Sequence, residues 1–132
     1  MIIRTLAIVA TAVAAWTVAW GQSTEAPPLK LSNKWRIEVS EGANNDGTIL
    51  FRVTPKEGTA VDVSVAIKDG RSEDGVARDI RDAFRATLDA KAYHAEVDDG
   101  EDVLVKKRGG PDFEVRLVES TVKGTRLHIE KE

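Results

Sequence analysis

The sequence predicts an α+β fold: an antiparallel sheet of about seven strands with one amphipathic helix packed on a face, in the order βββ-α-ββββ. Three observations lead there. Seven short segments alternate apolar with polar residues, the period of a half-buried strand. Once, between Val76 and Leu88, apolar residues recur every three or four positions instead, as on one face of a helix. The segments are separated by short clusters of Gly, Pro, Asn and Asp, the residues of tight turns.

In chain order, Trp35, Ile37 and Val39 alternate with Arg36, Glu38 and Ser40. Gly42 to Gly47 is a turn cluster, after which Ile49, Phe51 and Val53 alternate up to Pro55. Lys56 to Thr59 turns the chain again, and Val61, Val63, Val65 and Ile67 alternate with Asp62, Ser64, Ala66 and Lys68. These three strands are expected to form an antiparallel meander. From Ser72 the stripe Val76, Ala77, Ile80, Ala83, Phe84, Thr87 and Leu88 predicts a helix of about 17 residues. Ser72 is its expected N-cap, and Glu73 and Asp74 sit where the helix dipole favours acids. Asp74–Arg78–Asp82 and Arg85–Asp89 are spaced to form ion pairs on the solvated face. Four strands follow, at Tyr93–Val97, Val103–Lys106, Phe113–Leu117 and Leu127–Glu130, joined by short loops. The expected core is Trp35, Ile37, Phe51, Val53, Val63, Val65, Ile80, Phe84, Leu88, Val97, Val105, Phe113, Val115, Leu117 and Leu127.

The N-terminal residues carry a different signal. Arg4 is the one charge before an almost wholly apolar run from Leu6 to Trp20, and no acidic residue precedes Glu25. Ala19-Trp20-Gly21 is a small-x-small site, so residues 1–21 are expected to be a secretory signal peptide cut after Gly21. A retained anchor is the alternative, but a spanning helix needs about 20 consecutive apolar residues, and this run falls short. A lipoprotein anchor would need a Cys, and the chain has none. Residues 22–33, with Pro27-Pro28, are expected to form an extended tether, and 34–132 a single α+β domain. The expected location is periplasmic or secreted, in a bacterial protein with no membrane contact after cleavage.

Without residues 1–21, the chain keeps 18 basic residues against 22 acidic ones, a net charge of −4. Both signs are interleaved, and the basic patch that a nucleic-acid binder needs is missing. Zero cysteines exclude thiol catalysis, Cys-based zinc sites and disulfide stapling, so packing alone must hold the domain.

Few residues offer chemistry. Asp98-Asp99-Gly100-Glu101-Asp102 is the densest acidic cluster, but it lacks the ligand spacing of a calcium loop and reads as a hairpin turn. His94 and His128 fall on the polar parity of their strands, beside Glu96 and Glu130, and would form a metal pair or acid/base site only if the strands met. Ser40, Ser64, Ser72 and Ser120 lie in no nucleophile motif, and no glycine-rich phosphate loop leads from a strand into a helix. No catalytic, cofactor-binding or metal residue is therefore assigned. Leu50, Leu104 and Val118 are apolar on the parity that should face water. Clustered on one sheet face, they would make a partner surface.

The stretch Val63 to Arg108 resembles the β-turn-helix-β-β module of bacterial flagellin and hook-associated proteins. The likeness rests on Val65-x-Ile67, Ser72, Ile80-Arg81-Asp82-Ala83, and the hairpin of Ala95–Val97 with Val103–Val105. Arg81 stands where the family carries Asn. The resemblance implies a non-enzymatic binding or surface module.

The expected function is that of an exported binding domain without catalysis or cofactor, with a protein or glycan partner in the cell envelope or outside the cell. The alternative is a secreted inhibitor of a hydrolase, acting through a protruding loop at Gly42–Gly47 or Asp98–Asp102. An enzyme ranks third, and would require a histidine to converge with carboxylates in a pocket.

Overall fold

The structure, a computed structural model, describes residues 28–132. The expected signal peptide and cleavage site, and the first half of the tether (residues 22–27), lie outside the described residues. Seven strands and one helix follow in the order expected: β1 Lys34–Ser40, β2 Gly47–Pro55, β3 Val61–Ile67, α1 Glu73–Thr87, β4 Tyr93–Asp98, β5 Asp102–Lys107, β6 Phe113–Ser120 and β7 Arg126–Lys131. The fold is α+β, and every strand pair is antiparallel.

The strands divide into two sheets, not one. β4-β5-β1-β7 form a four-stranded sheet and β3-β2-β6 a three-stranded one. Two hairpins, β2–β3 and β4–β5, join sequence neighbours. The expected β1-β2-β3 meander does not form, because β1 crosses to lie between β5 and β7. The physical reason is coverage. Every strand has an apolar face, and one helix of 15 residues cannot cover seven strands. Two sheets facing each other cover one another's apolar faces.

Helix α1 packs against β3, β4, β5 and β1, so it spans the side of the molecule where the edge strands β3 and β4 of the two sheets lie. Ser72 caps it, its Oγ accepting the Gly75 N–H at 3.1 Å. The helix buries Gly75, Val76, Ala77, Ile80 and Phe84, and the Phe84 ring meets Phe51 edge-on at 5.2 Å. The ion pairs along α1 differ from those expected. Arg71, ahead of the cap, bonds Asp79 through two nitrogens at 3.0 Å each. Arg81 bonds Asp82 at 2.9 Å, and Arg85 turns away to the Ala95 carbonyl at 2.8 Å. Exposed i,i+4 pairs contribute only about 0.3–0.5 kcal/mol, so such contacts easily displace them.

Twelve of the expected core residues are buried; Val97 and Leu127 are half-buried, and Leu117 is 36% exposed. The exceptions lie on the edge strands β4, β6 and β7, where no further strand covers them. Val39, Ile49, Ile67, Val76, Val103 and Val122 also join the core. Among the described residues, no helix is long and apolar enough to cross a membrane.

Candidate functional site

The apolar residues singled out for their parity do not come together. Leu104 lies on β5 in the four-stranded sheet, between Arg36 and Glu96 in register, and is only 5% exposed. Leu50 and Val118 belong to the other sheet. Leu50 is half-buried opposite Ser64 and Glu119. Val118 is 41% exposed and lies at the β6 irregularity, where the register shifts between Leu50 and Phe51.

The histidines are equally separate. His94 is on β4 and His128 on β7, the two opposite edges of the four-stranded sheet. Each lies 3.4 Å from its neighbouring carboxylate, Glu96 or Glu130. Among the described residues, two donor sets of the kind that ligate cations converge, each within 4.8 Å: Glu38 with His128 and Glu130, and Glu73 with Asp74 and Glu101. In the second set Glu73 pushes the Glu101 carboxyl up, helped by Asp74 and Asp102.

Both candidate loops are tied down. In Gly42–Gly47, Ala43 exchanges backbone bonds with Arg71 (2.8 Å) and Gly70 (2.9 Å), and Asn44 bonds the Lys123 carbonyl at 2.8 Å. In the acidic turn Asp98 pairs with Asp102, and both carboxylates bind Arg36, at 3.2 and 2.7 Å.

A concavity lies where β6 and β7 part. These strands are joined by residues 121–125 but enter different sheets, with no ladder between them. The connection is held by Asn45, whose side chain bonds the Thr121 carbonyl (3.1 Å) and the Lys123 N–H (2.7 Å). Gly124, with φ +90°, lies against Asn44, where no side chain would fit. Below this clamp the seam opens into a cleft of about 330 Å³, floored by Trp35, Val115, Leu117, Leu127 and Ile129. Lys30, Glu114, Arg116 and His128 form its polar border. Glu114 is 4% exposed and already committed. It accepts the Lys30 backbone N–H at 2.8 Å and pairs with Arg116 at 3.1 Å.

The backbone alternation shows what the seam presents. Glu132 donates its N–H to the Lys34 carbonyl at 3.0 Å. Even-numbered residues of β7 therefore bond β1, and Leu127, Ile129 and Lys131 turn their backbone groups away from it. On β6, Phe113 exchanges both backbone bonds with Ser32 at 3.0 Å each. Val115 and Leu117 share that direction, away from β2. Among the described residues, no backbone hydrogen bond outside the named ladders uses these groups of Val115, Leu117, Leu127 or Ile129. An apolar cleft is thus flanked by two strand edges that pair with no other strand among the described residues, one of which bridges to a single extended residue, Ser32. Strand parity placed Leu117 and Leu127 on the inner face but could not show that their edges lack neighbours.

No known family model matches the chain, and no curated protein matches it either.

Proposed function

We propose that this chain is an exported binding domain without catalytic activity of its own, and that the seam between β6 and β7 takes up an extended strand of a partner protein in the cell envelope or outside the cell. The observation that carries the reading is the pair of unpaired edges beside an apolar floor. An added strand gains main-chain hydrogen bonds from the edge and specificity from pockets that receive alternate side chains. Lys30, with no carboxylate partner among the described ion pairs, favours an acidic residue on the incoming segment. A glycan fits less well: the one aromatic ring of the floor, Trp35, is 4% exposed and offers no open face for a sugar.

Amide hydrogen exchange tests this directly. A short peptide alternating valine with threonine and flanked by glutamates is added to the folded domain. The amides of Leu127 and Ile129, or of Val115 and Leu117, should slow while solvent-facing amides of α1 stay unchanged. Protection confined to the helix, or none at the seam, overturns the reading. Protection that rises with protein concentration alone also overturns it, in favour of edge-to-edge self-association.

A further inference from the structure

A second cavity lies on another side of the molecule, between the C-terminal turn of α1 and β4, and it does not depend on the seam. Its volume is about 250 Å³. At about 30 Å³ per water in the liquid, that is room for roughly eight water-sized groups. Phe84, Leu88, Tyr93 and Ala95 supply an apolar wall, and the charged groups at its border are Arg85 and Arg108, with His94 beside them. No carboxylate lines it.

Both arginines are positioned by the fold. Arg85 donates Nε to the Ala95 carbonyl at 2.8 Å, leaving its terminal nitrogens free of protein partners among the described residues. The Arg108 backbone N–H is fixed to the Ala92 carbonyl at 2.8 Å. Its Nη2 lies 3.0 Å from His94 Nδ1. A guanidinium can only donate, so Nδ1 accepts and the imidazole hydrogen sits on Nε2. That nitrogen faces Glu96 at 3.4 Å. Glu96 is also held by Lys106 at 3.5 Å, so its charge is engaged outside the cavity.

Six of the nine described arginines pair with carboxylates, namely Arg36, Arg52, Arg71, Arg81, Arg116 and Arg126. Arg85 and Arg108 do not, although the chain carries more acidic than basic residues. Two uncompensated guanidiniums beside an apolar cavity form a complementary surface for one chemical class. We infer that this cavity binds a small carboxylate with an apolar body, its acid group held by Arg85 and Arg108 and its hydrocarbon part against Leu88 and Tyr93.

The test compares phenylacetate with 2-phenylethanol, which keeps the ring but lacks the charge, by amide chemical shifts of the full folded chain. Phenylacetate should give saturable shifts at Leu88, Tyr93 and Ala95, and the alcohol should bind about tenfold more weakly. Arg85→Gln and Arg108→Gln should each weaken phenylacetate about tenfold and leave the alcohol unchanged. Arg78→Gln, which removes an unpaired charge elsewhere on α1, should change neither. Equal affinity for the two compounds overturns the inference. So do shifts that map to the β6–β7 seam, an effect of Arg78→Gln as large as the others, or no saturable shift up to about 10 mM.

Discussion

Arg36 stands opposite Leu104 and Glu130 on the outer face of the four-stranded sheet. Its guanidinium reaches Asp102 at 2.7 Å, Glu132 at 2.8 Å and Asp98 at 3.2 Å, with its side chain 15% exposed. Glu132 and Asp102 hold its pKa above the usual arginine value, against the pull of burial. In return, Arg36 holds the Glu132 carboxyl below 4.5. Arg52 on β2 binds only Asp62, and both side chains are 45% exposed. Exposed pairs contribute little, while losing the centre of a partly buried cluster leaves carboxylates to repel one another. Arg36→Gln should therefore lower the urea midpoint at neutral pH more than Arg52→Gln does. Because the Glu132 pKa is depressed, its contribution is present above 4.5 and lost as pH falls through the folded value. The Arg36→Gln deficit should shrink in acid, and a deficit independent of pH would count against the cluster. Leu104 shows how far a single residue could be read in advance. Its parity placed it correctly on the outer face, but parity carries no information on what covers that face. Register sets it between Arg36 and Glu96, long side chains whose stems can cover apolar surface.

At the scale of elements, the period of the sequence located all seven strands and the helix, because burial of one strand face or one helix stripe is written in local spacing. Which strands pair was not legible. Ladder partners such as Ile37–Val103 and Phe51–Leu117 are far apart in sequence, and β1 would alternate in the same way in either sheet. The acidic turn shows a similar limit. Its density was plain, yet the residue that meets other acids is Glu101, because the β4–β5 turn comes up to the start of α1, where Glu73 and Asp74 stand. Glu73 first, then Asp102 and Asp74, raise the Glu101 pKa above 4.5. The stability this group contributes is whole below 4.5 and is lost as pH rises through its folded pKa. Glu101→Gln removes that loss. It should raise the urea midpoint at neutral pH and match the parent domain well below 4.5, where both side chains are neutral. A variant less stable than the parent at neutral pH would show that Glu101 is held by attraction there, for instance by a bound cation, and not by repulsion.

For the molecule as a whole, the asymmetry between its two open sides links fold to function. Two sheets packed face to face leave a gap at each side. α1 covers the gap between β3 and β4, and on the other side, among the described residues, Ser32 alone pairs with the backbone edge of β6, with the Lys30 N–H on the Glu114 carboxylate beside it. Exposed, unprotected strand edges invite pairing, and proteins that do not use them tend to blunt them with charge or proline. Here the seam-facing apolar side chains of β7 are Leu127 and Ile129, both half-buried, and of its charged residues Lys131 alone, at the strand's end, shares their parity. A strand added in the seam would bridge the edges of both sheets, so its binding should stabilise the domain globally. At a ligand concentration one hundred times the dissociation constant, linkage gives about 2.7 kcal/mol. For a domain of this size that corresponds to a rise in Tm of roughly 10 °C. Ile129→Pro removes a seam-facing N–H at an edge position where proline is tolerated. This variant should stay folded, with little change in Trp35 fluorescence, and lose the ligand-induced rise. Leu50→Ser, on the outer face of β2, should keep it in full. If Ile129→Pro retained the rise while Leu50→Ser abolished it, the contact surface would be the outer face of the three-stranded sheet, and the unpaired edges would have no part in binding.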